Sequence, residues 1–428
     1  MNAGHRPHPG SPVVGTRRGP DPGGIPVGTA YRSHPAVILT GRGYKSRSVR
    51  LVSPANGAPL VAAGPSALAD GQRRWPVVEG IPYLRAGRND LRAAALAALD
   101  RGDERRALTL LLRDQDDWAP DPPPSERAIR ALLDGAPTLR EAMDRLAFGP
   151  VADYFAYRWS DPTWLAGLAL LDAHWTAPRT AFELACGIGH YSRELARRGV
   201  ETIGGDVVFA KLWLARRYMT PATTLLCFDA ASPWPLPDHA ADLAFCHDAL
   251  YFLPHKPHVA RELARVAPVI VVGHAHNAEV DNLSAGEPLT SAGYAALFTN
   301  PTCYDDAELT AALLADRLPE HTSCEHLRAS EAIGLVVGAP RAREAGTSGL
   351  TLPMPGTRLR RNPLIAGGAP GVIAWPSARY AAEYGARSGY LTGGEALSAV
   401  PDEAIAGADP ATDALARRRL LLDLPERW

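Results

Sequence analysis

The chain has 428 residues, 46% of them hydrophobic, and a formal net charge of -1 at pH 7. This length accommodates two or three domains with a sizeable apolar core. A charge so close to zero creates no overall field that would attract nucleic acid or an anionic membrane, so we expect neither as a partner.

Composition also indicates the cellular setting. Nearly all of the 45 basic residues are arginines, which together with the many alanines indicates a GC-rich bacterial genome. The cysteines have no C-x-x-C spacing, so we predict buried free thiols in a reducing cytoplasm. No apolar run approaches a membrane span, and the N-terminus lacks the apolar stretch of a signal peptide. The cysteines are Cys186, Cys227, Cys246, Cys303 and Cys324.

Residues 1–46 are rich in glycine, proline and arginine and lack apolar periodicity. This composition predicts a disordered tail. Because Asp21 is the only acid among these arginines, a tail that binds nucleic acid is an alternative interpretation.

Residues 47–86 contain VRLVSPANGAPL and end in WPVVEGIPYL. This segment resembles the small zinc-ribbon module that precedes some methyltransferases and serves as the activator subunit of certain tRNA methyltransferases. Ser53 and Asn56 stand where the first cysteine pair of that module would be, and residues 70–73 contain no cysteine. Zinc requires thiolate or imidazole ligands, so the resemblance implies a degenerate, metal-free β module with a packing role.

Residues 88–178 have helical patterning. Thr138 and Glu141 form a capping box, and Asp161-Pro162 starts a later helix. Aromatic side chains concentrate between these two helix starts, at Tyr154, Phe155, Tyr157 and Trp159. We interpret them as core filling between the helices and a sheet; the alternative is a lid over a ligand.

The stretch that organises the chain reads TAFELACGIGHYSRELARRGVETIGGD and runs from residue 180 to 206. It predicts a strand with an acid at Glu183, a turn with Gly187 and Gly189, a helix, and a second strand that ends in Asp206. Two nearby glycines let backbone approach a ligand closely, and the following helix presents free N–H groups. This is half of a doubly wound nucleotide-binding sheet.

A dinucleotide fingerprint requires a third glycine where this chain has Ser192, so that pattern fails. The stretch resembles instead motif I of the class I S-adenosylmethionine (SAM) dependent methyltransferases. The family's glycine turn holds the methionine part of SAM, its acid after the second strand takes the ribose hydroxyls, and its acid after the third contacts adenine. The resemblance implies a cofactor site of Glu183, Ala185, Cys186, Gly187, Gly189, Asp206, Val207, Asp229, Ala230 and His247.

Later landmarks extend the resemblance over residues 150–340. Asp229 follows a third strand, WPLPD matches the family's turn before strand four, and HDALYFLP matches the segment after it. Strands at 242–246, 268–272 and 333–337 would complete an α/β, Rossmann-like sheet of seven strands. We place the SAM-binding core at residues 179–340.

Candidate catalytic residues follow strands four and five, at the carboxyl edge where such sheets bind ligands. They are His247, Asp248, Tyr251 and His274, with His276 two residues further on. A base there would remove a proton from a hydroxyl acceptor; the alternative for each histidine is a hydrogen-bonded loop residue. These histidines with Asp248 could also hold a metal, but metal-dependent members of the family use mostly carboxylates and amides. We therefore predict none.

Residues 341–428 form an extension of unknown role with an arginine-rich terminal helix at 414–422. We expect a cytoplasmic bacterial methyltransferase that acts on an oxygen or nitrogen of a small molecule or glycan precursor. The alternatives are an RNA or protein methyltransferase, and a non-catalytic SAM-fold binding protein. The substrate and the oligomeric state do not follow from the sequence.

Overall fold

The computed structural model describes residues 49–116, 118–119, 122–283, 285–366, 372–392 and 400–428. The predicted tail at 1–46 lies outside the described residues. The strands are β1 Val61–Ala62, β2 Ala67–Ala69, β3 Arg74–Val78, β4 Ile81–Pro82, β5 Thr180–Leu184, β6 Glu201–Asp206, β7 Thr224–Cys227, β8 Leu243–His247, β9 Val269–His276, β10 Thr302–Asp305, β11 Ala332–Val337, β12 Arg358–Arg361, β13 Glu403–Ile405 and β14 Leu421–Leu422.

Helices alternate with the central strands and also precede and follow them. They are α1 Asn89–Asp100, α2 Glu104–Leu112, α3 Glu126–Asp134, α4 Leu139–Arg145, α5 Val151–Tyr157, α6 Pro162–Ala173, α7 His190–Arg197, α8 Phe209–Leu214, α9 Lys256–Val266, α10 Ser291–Ala295, α11 Asp306–Leu314, α12 Pro363–Ala366, α13 Ala378–Tyr384 and α14 Pro410–Arg417.

The central sheet has seven strands in the order β10-β11-β9-β8-β5-β6-β7. The strands from β9 to β7 are parallel, whereas β11 runs antiparallel to both β9 and β10. This topology confirms the predicted seven-stranded Rossmann-like sheet. Chain order reverses between β5 and β8, and a doubly wound sheet binds its ligands at the carboxyl ends beside such a reversal.

The apolar alternation of the strands explains why both faces of the sheet are covered. In β9, Val269 and Val271 pack into one buried cluster, and Ile270 and Val272 pack into the other. A parallel sheet with helices on both faces requires this, because strand side chains alternate between faces. The sheet is therefore a rigid support for the residues at its edge.

The helical region and its signals follow the sequence closely. Helices α1 to α6 occupy residues 89–173, and the capping box of Thr138 and Glu141 is formed. The Asp161 side chain accepts a hydrogen bond from the Trp164 amide and caps α6. A single 3-10 turn, Arg158–Ser160, joins α5 to α6.

The segment with the ribbon-like sequence forms a small antiparallel sheet, β1-β2-β3-β4. Ser53 Oγ donates a hydrogen bond of 2.5 Å to Asp70 Oδ2, and Trp75 Nε1 donates to the same oxygen at 3.4 Å. The Leu84 amide bonds the Cys227 carbonyl, so the small sheet is attached to edge strand β7. Its relation to zinc ribbons stays a prediction.

Three sequence predictions need correction. Cys303 and Cys324 form a disulfide, so not all five cysteines are free thiols; β10 and the turn at Cys324–Leu327 bring them together. Strand β9 continues to His276, four residues beyond the predicted end, because β11 pairs with it there. The terminal helix ends at Arg417, and Leu421–Leu422 pairs with β12 in a three-stranded sheet.

None of the helices in the described part of the chain has the length and apolar character that a membrane span requires.

Candidate functional site

The glycine turn lies at the carboxyl edge, between β5 and α7. Ala185, Gly187 and Gly189 all have left-handed backbone, with φ of 54°, 55° and 84°. The Gly187 amide donates to Asp206 Oδ2 at 2.9 Å, and the Cys186 amide donates to the Gly205 carbonyl at 3.0 Å. The turn is thus held directly against the tip of β6, as the motif predicts.

Two carboxylates stand at the ends of neighbouring strands. Asp206, at the end of β6, is 5% exposed and also accepts a hydrogen bond from the Val208 amide, next to Val207. Asp229 follows β7 and is partly exposed. The Ala230 carbonyl accepts a hydrogen bond from Trp234 Nε1, which fixes the loop after Asp229.

Ser192, where a dinucleotide fingerprint has glycine, bonds the motif acid. Its hydroxyl donates to Glu183 Oε2 at 2.5 Å. Burial raises the pKa of Glu183 to about 8, although the Ser192 bonds favour its charged form. Glu183 therefore braces α7 against β5 beneath the turn.

The chain's own side chains cover the glycine turn. A Cβ on Gly187 would lie 2.9 Å from the Phe155 ring of α5, and His190 Nε2 lies 3.0 Å from the Phe155 carbonyl. On the other side, Lys211 Nζ lies 3.9 Å from Asp206 and 3.7 Å from Asp116. The helical lead-in at residues 88–178 therefore contacts this edge. Phe155, Tyr157 and Trp159 are also buried in the core, as the first interpretation of the aromatic cluster expects, and a role as a lid stays a prediction.

The chemistry of these residues fits SAM. A turn without side chains and two carboxylates at adjacent strand ends are suited to its amino acid part and to its ribose and adenine. Cavities of about 10 and 20 Å³ lie elsewhere, and neither is lined by a residue of the turn.

Asp248 is the centre of a second buried group, after β8. Oδ2 accepts a hydrogen bond from Tyr154 at 2.9 Å and lies 3.1 Å from Arg158 Nη1, and Oδ1 accepts from Tyr251 at 2.6 Å. Burial would raise the pKa of Asp248, but His274 and Arg158 lower it. Asp248 also has left-handed backbone, with φ of 54°.

His274 and His276 lie beside Asp248. Their Nε2 atoms are 3.0 Å apart, and His274 Nδ1 lies 3.0 Å from Asp306 Oδ2 at the start of α11. Burial would lower the pKa of His274, but the Asp306 and Asp248 carboxylates raise it. Burial and the neighbouring His274 lower the pKa of His276 to about 4. The pKa values of the two rings are therefore shifted in opposite directions.

His247 lies below this edge. Its ring packs between Tyr191 and Phe245, and a Cβ on Gly167 or Gly273 would lie within 3 Å of it. Neither ring nitrogen has a hydrogen-bond partner in the described residues, and burial lowers its pKa to about 3. The structure thus brings Asp248, Tyr251 and His274 together and sets His247 beneath them; the catalytic role of each stays a prediction.

Several residues of this group were not selected from the sequence. Arg158 and Tyr154 come from the helical lead-in, Asp306 from α11 and Arg387 from the C-terminal extension. Arg387 Nη1 lies 3.9 Å from Asp306 Oδ2. His276 was already named beside the candidates because of the His-x-His spacing. Tyr154, Arg158, Asp306 and Arg387 have no local signal for this role, because it depends on contacts far apart in the chain.

Residues 182–268 match the family model described as a methyltransferase domain. This segment contains the glycine turn, Asp206, Asp229 and Asp248 and ends where β9 begins. Match and topology agree on a methyltransferase domain over residues 182–268, and its site residues fit SAM as the cofactor. No curated protein matches the sequence.

Solved methyltransferase structures also resemble the chain. A chain of the complex between the Haloferax volcanii Trm112 methyltransferase activator and a methyltransferase has 16% identity and a TM-score of 0.34, covering 48% of this chain and 99% of that one. The Haemonchus contortus phosphoethanolamine N-methyltransferase 2 with SAM has 14% identity and a TM-score of 0.34, covering 47% and 60%.

A SAM-bound amino pentose methyltransferase from Micromonospora echinaspora has 23% identity and a TM-score of 0.23, covering 27% of this chain and 50% of that one. Scores this low leave the substrate to be argued from the site.

Proposed function

We propose that the chain transfers the methyl group of SAM to an oxygen or nitrogen of a small molecule or glycan precursor. The observation that carries this proposal is the group of Asp248, Tyr251, His274 and His276 beside the glycine turn at the same sheet edge. It offers carboxylate, phenol and imidazole groups to a hydroxyl or amine. The match to a methyltransferase domain supplies the reaction class.

The residues divide into two halves of one site. Asp206, Asp229 and the Gly187–Gly189 turn would hold the cofactor, which supplies an electrophilic methyl group when bound. Asp248 and the histidines would orient the acceptor and take up its proton. Most of the rate enhancement in such a displacement comes from alignment, which a rigid sheet edge provides.

The cover over the edge supports a small acceptor. The C-terminal extension bonds the covering segment through Tyr380 to the Tyr157 carbonyl, Tyr390 to the Ser160 carbonyl and Trp428 to the Ala156 carbonyl. A site covered by residues 154–160 and by the C-terminal extension favours an acceptor that can be enclosed. A net charge of -1 adds no attraction for RNA.

We also propose that the small β sheet is a metal-free descendant of a zinc ribbon. The hydrogen bond from Ser53 to Asp70 joins the two places where cysteine pairs would stand. A carboxylate surrounded by N–H and O–H donors would take over the joining role of the metal. Purified protein with zinc in this sheet, lost in Asp70→Ala, would contradict this.

The first experiment is calorimetric titration of SAM and S-adenosylhomocysteine into the wild type, Asp206→Ala and the control Asp238→Asn, an exposed acid paired with Arg265. Loss of a charged acceptor costs about 1.5–3 kcal/mol, so Asp206→Ala should bind roughly 10–100-fold more weakly. Asp238→Asn should bind as the wild type does. Circular dichroism would check folding, because Asp206 also accepts two backbone N–H bonds.

The acceptor class is tested by incubating the protein with labelled SAM and cell extract, with and without nuclease and protease treatment. Label in small molecules or glycans that survives both treatments supports the proposal. Label confined to RNA or protein would contradict the acceptor class. No SAM binding by folded wild type would leave a non-catalytic binding protein.

A further inference from the structure

We propose that Asp248, His274 and His276 bind a divalent transition-metal ion such as Zn²⁺. One ligand atom from each residue lies within 4.8 Å of the other two. The two Nε2 atoms are 3.0 Å apart, and Asp248 Oδ1 lies 4.0 Å from His274 Nε2. We predicted no metal from the sequence, and the placement of His276 changes that prediction.

The spacing suits a shared ion. Zinc bonds imidazole nitrogen and carboxylate oxygen at about 2.0–2.2 Å, so ligands around one ion are about 3–4 Å apart. Two imidazoles and one carboxylate are a donor set that first-row transition metals accept. An ion between the two Nε2 atoms would replace the proton they share, and that proton would leave to solvent.

Neighbouring groups orient each ligand through a hydrogen bond or a ring contact. Asp306 Oδ2 accepts from His274 Nδ1, which turns Nε2 towards the cluster. Tyr251 donates to Asp248 Oδ1, and its ring stacks on His276 with centroids 4.2 Å apart and planes within 5°. Metal-binding histidines commonly have such a carboxylate on their other nitrogen, because it fixes the tautomer and ring orientation.

The backbone is also adapted at the ligands. His274 has φ of 48° and lies where the pairing of β9 with β11 shifts register, between Ile333 and Leu335. A shift of this kind re-aims a side chain beside a site. Asp248 has left-handed backbone too, with φ of 54°, so two of the three ligands occupy a backbone conformation that residues other than glycine rarely adopt.

Charge around the cluster is balanced by both signs. Arg158 contacts the other oxygen of Asp248, Oδ2, and its charge is offset by Asp161 at 3.3 Å. Asp306 adds a second carboxylate, 3.9 Å from Arg387. Three protein ligands leave a coordination position open, as in catalytic metal sites. If the proposed function is correct, the acceptor oxygen or nitrogen would occupy that position; ion binding itself does not depend on it.

The test uses the full chain, stripped of metal by a chelator, and calorimetric titration with Zn²⁺. Equimolar binding is expected. His276→Gln should weaken it by more than about 100-fold, since a lost ligand costs more than the 10–100-fold typical of an outer partner. Asp306→Asn keeps all three ligands and should weaken binding by about 10–100-fold. The control His239→Asn changes an exposed histidine outside the cluster and should bind as the wild type does.

Titration of the wild type with Co²⁺ gives a readout that does not depend on a variant folding. Intense visible absorption that Zn²⁺ abolishes would support a site with nitrogen ligands and low coordination number. Absence of this absorption, or Zn²⁺ binding that His276→Gln leaves unchanged, would overturn the proposal. SAM binding measured on the same samples distinguishes the metal site from the proposed function. SAM binding without metal binding would contradict only the metal site, and metal binding without SAM binding would contradict only the proposed function.

Discussion

Asp70 and Asp248 are both buried carboxylates, and they are satisfied in opposite ways. Asp70 receives neutral donors from near in the chain: Ser53, the Gln72 and Arg73 amides, and Trp75. Asp248 contacts a guanidinium, two phenols and a nearby imidazole. One of the two phenols belongs to Tyr154, which lies 94 residues away in the chain.

The difference separates a structural carboxylate from one suited to function. Neutral local donors fix Asp70 in a single arrangement that joins two turns of the small sheet. The partners of Asp248 include ionisable side chains, and they come from several elements that meet at the sheet edge. A buried cluster of titratable groups with specific charge partners at a sheet edge is a candidate for binding or catalysis.

The largest effect expected is that of Arg158→Met. Arg158 contacts Asp161 at 3.3 Å and Asp248 at 3.1 Å and also bonds Thr163. Removing the cation from two buried carboxylates should lower the free energy of unfolding by about 3–5 kcal/mol. Urea unfolding measures this. The matched control is Arg106→Met, whose pair with Glu126 is exposed and should cost about 0–1 kcal/mol. Equal losses would refute the contrast between the two pairs.

A smaller effect is expected for Asp70→Asn. Burial would raise the pKa of Asp70, but the bonds from Ser53 and the Gln72 and Arg73 amides lower it from 3.8 to about 2. A carboxyl group whose pKa is lowered by folding stabilises the folded state when the pH is above the pKa of that group in the unfolded chain. This contribution is lost as the pH falls from about 4 to about 2.

We expect Asp70→Asn to lose about 1–2 kcal/mol at pH 7, because water near the surface screens part of the effect. The difference from the wild type should shrink below pH 4. Unfolding by urea at several pH values measures both. A difference that stays constant down to pH 3 would show that Asp70 is not responsible.

The smallest effect is that of Ser53→Ala, which removes one donor from Asp70. A single hydrogen bond contributes about 0.5–1.5 kcal/mol, and the other three donors remain. Thermal unfolding should show this loss, while SAM binding should not change. A change in SAM binding would mean that the small sheet acts on the site and is not only structural.

The sequence by itself determined the sheet and the candidate cofactor half of the site. Glu183, the glycine turn and Asp206 lie within 27 residues, so strand periodicity and turn chemistry specify them locally. The helix signals at Thr138 and Asp161 are local too, and both caps are formed.

Only the tertiary structure decided the other half. Arg158, Asp306 and Arg387 meet Asp248 and the histidines through packing of the turn after α5, of α11 and of the C-terminal extension, which no local pattern specifies. The same holds for the extra length of β9, which depends on pairing with β11, and for the bond between Cys303 and Cys324. Local propensity specifies strands and turns, whereas long-range packing determines which side chains share a buried site.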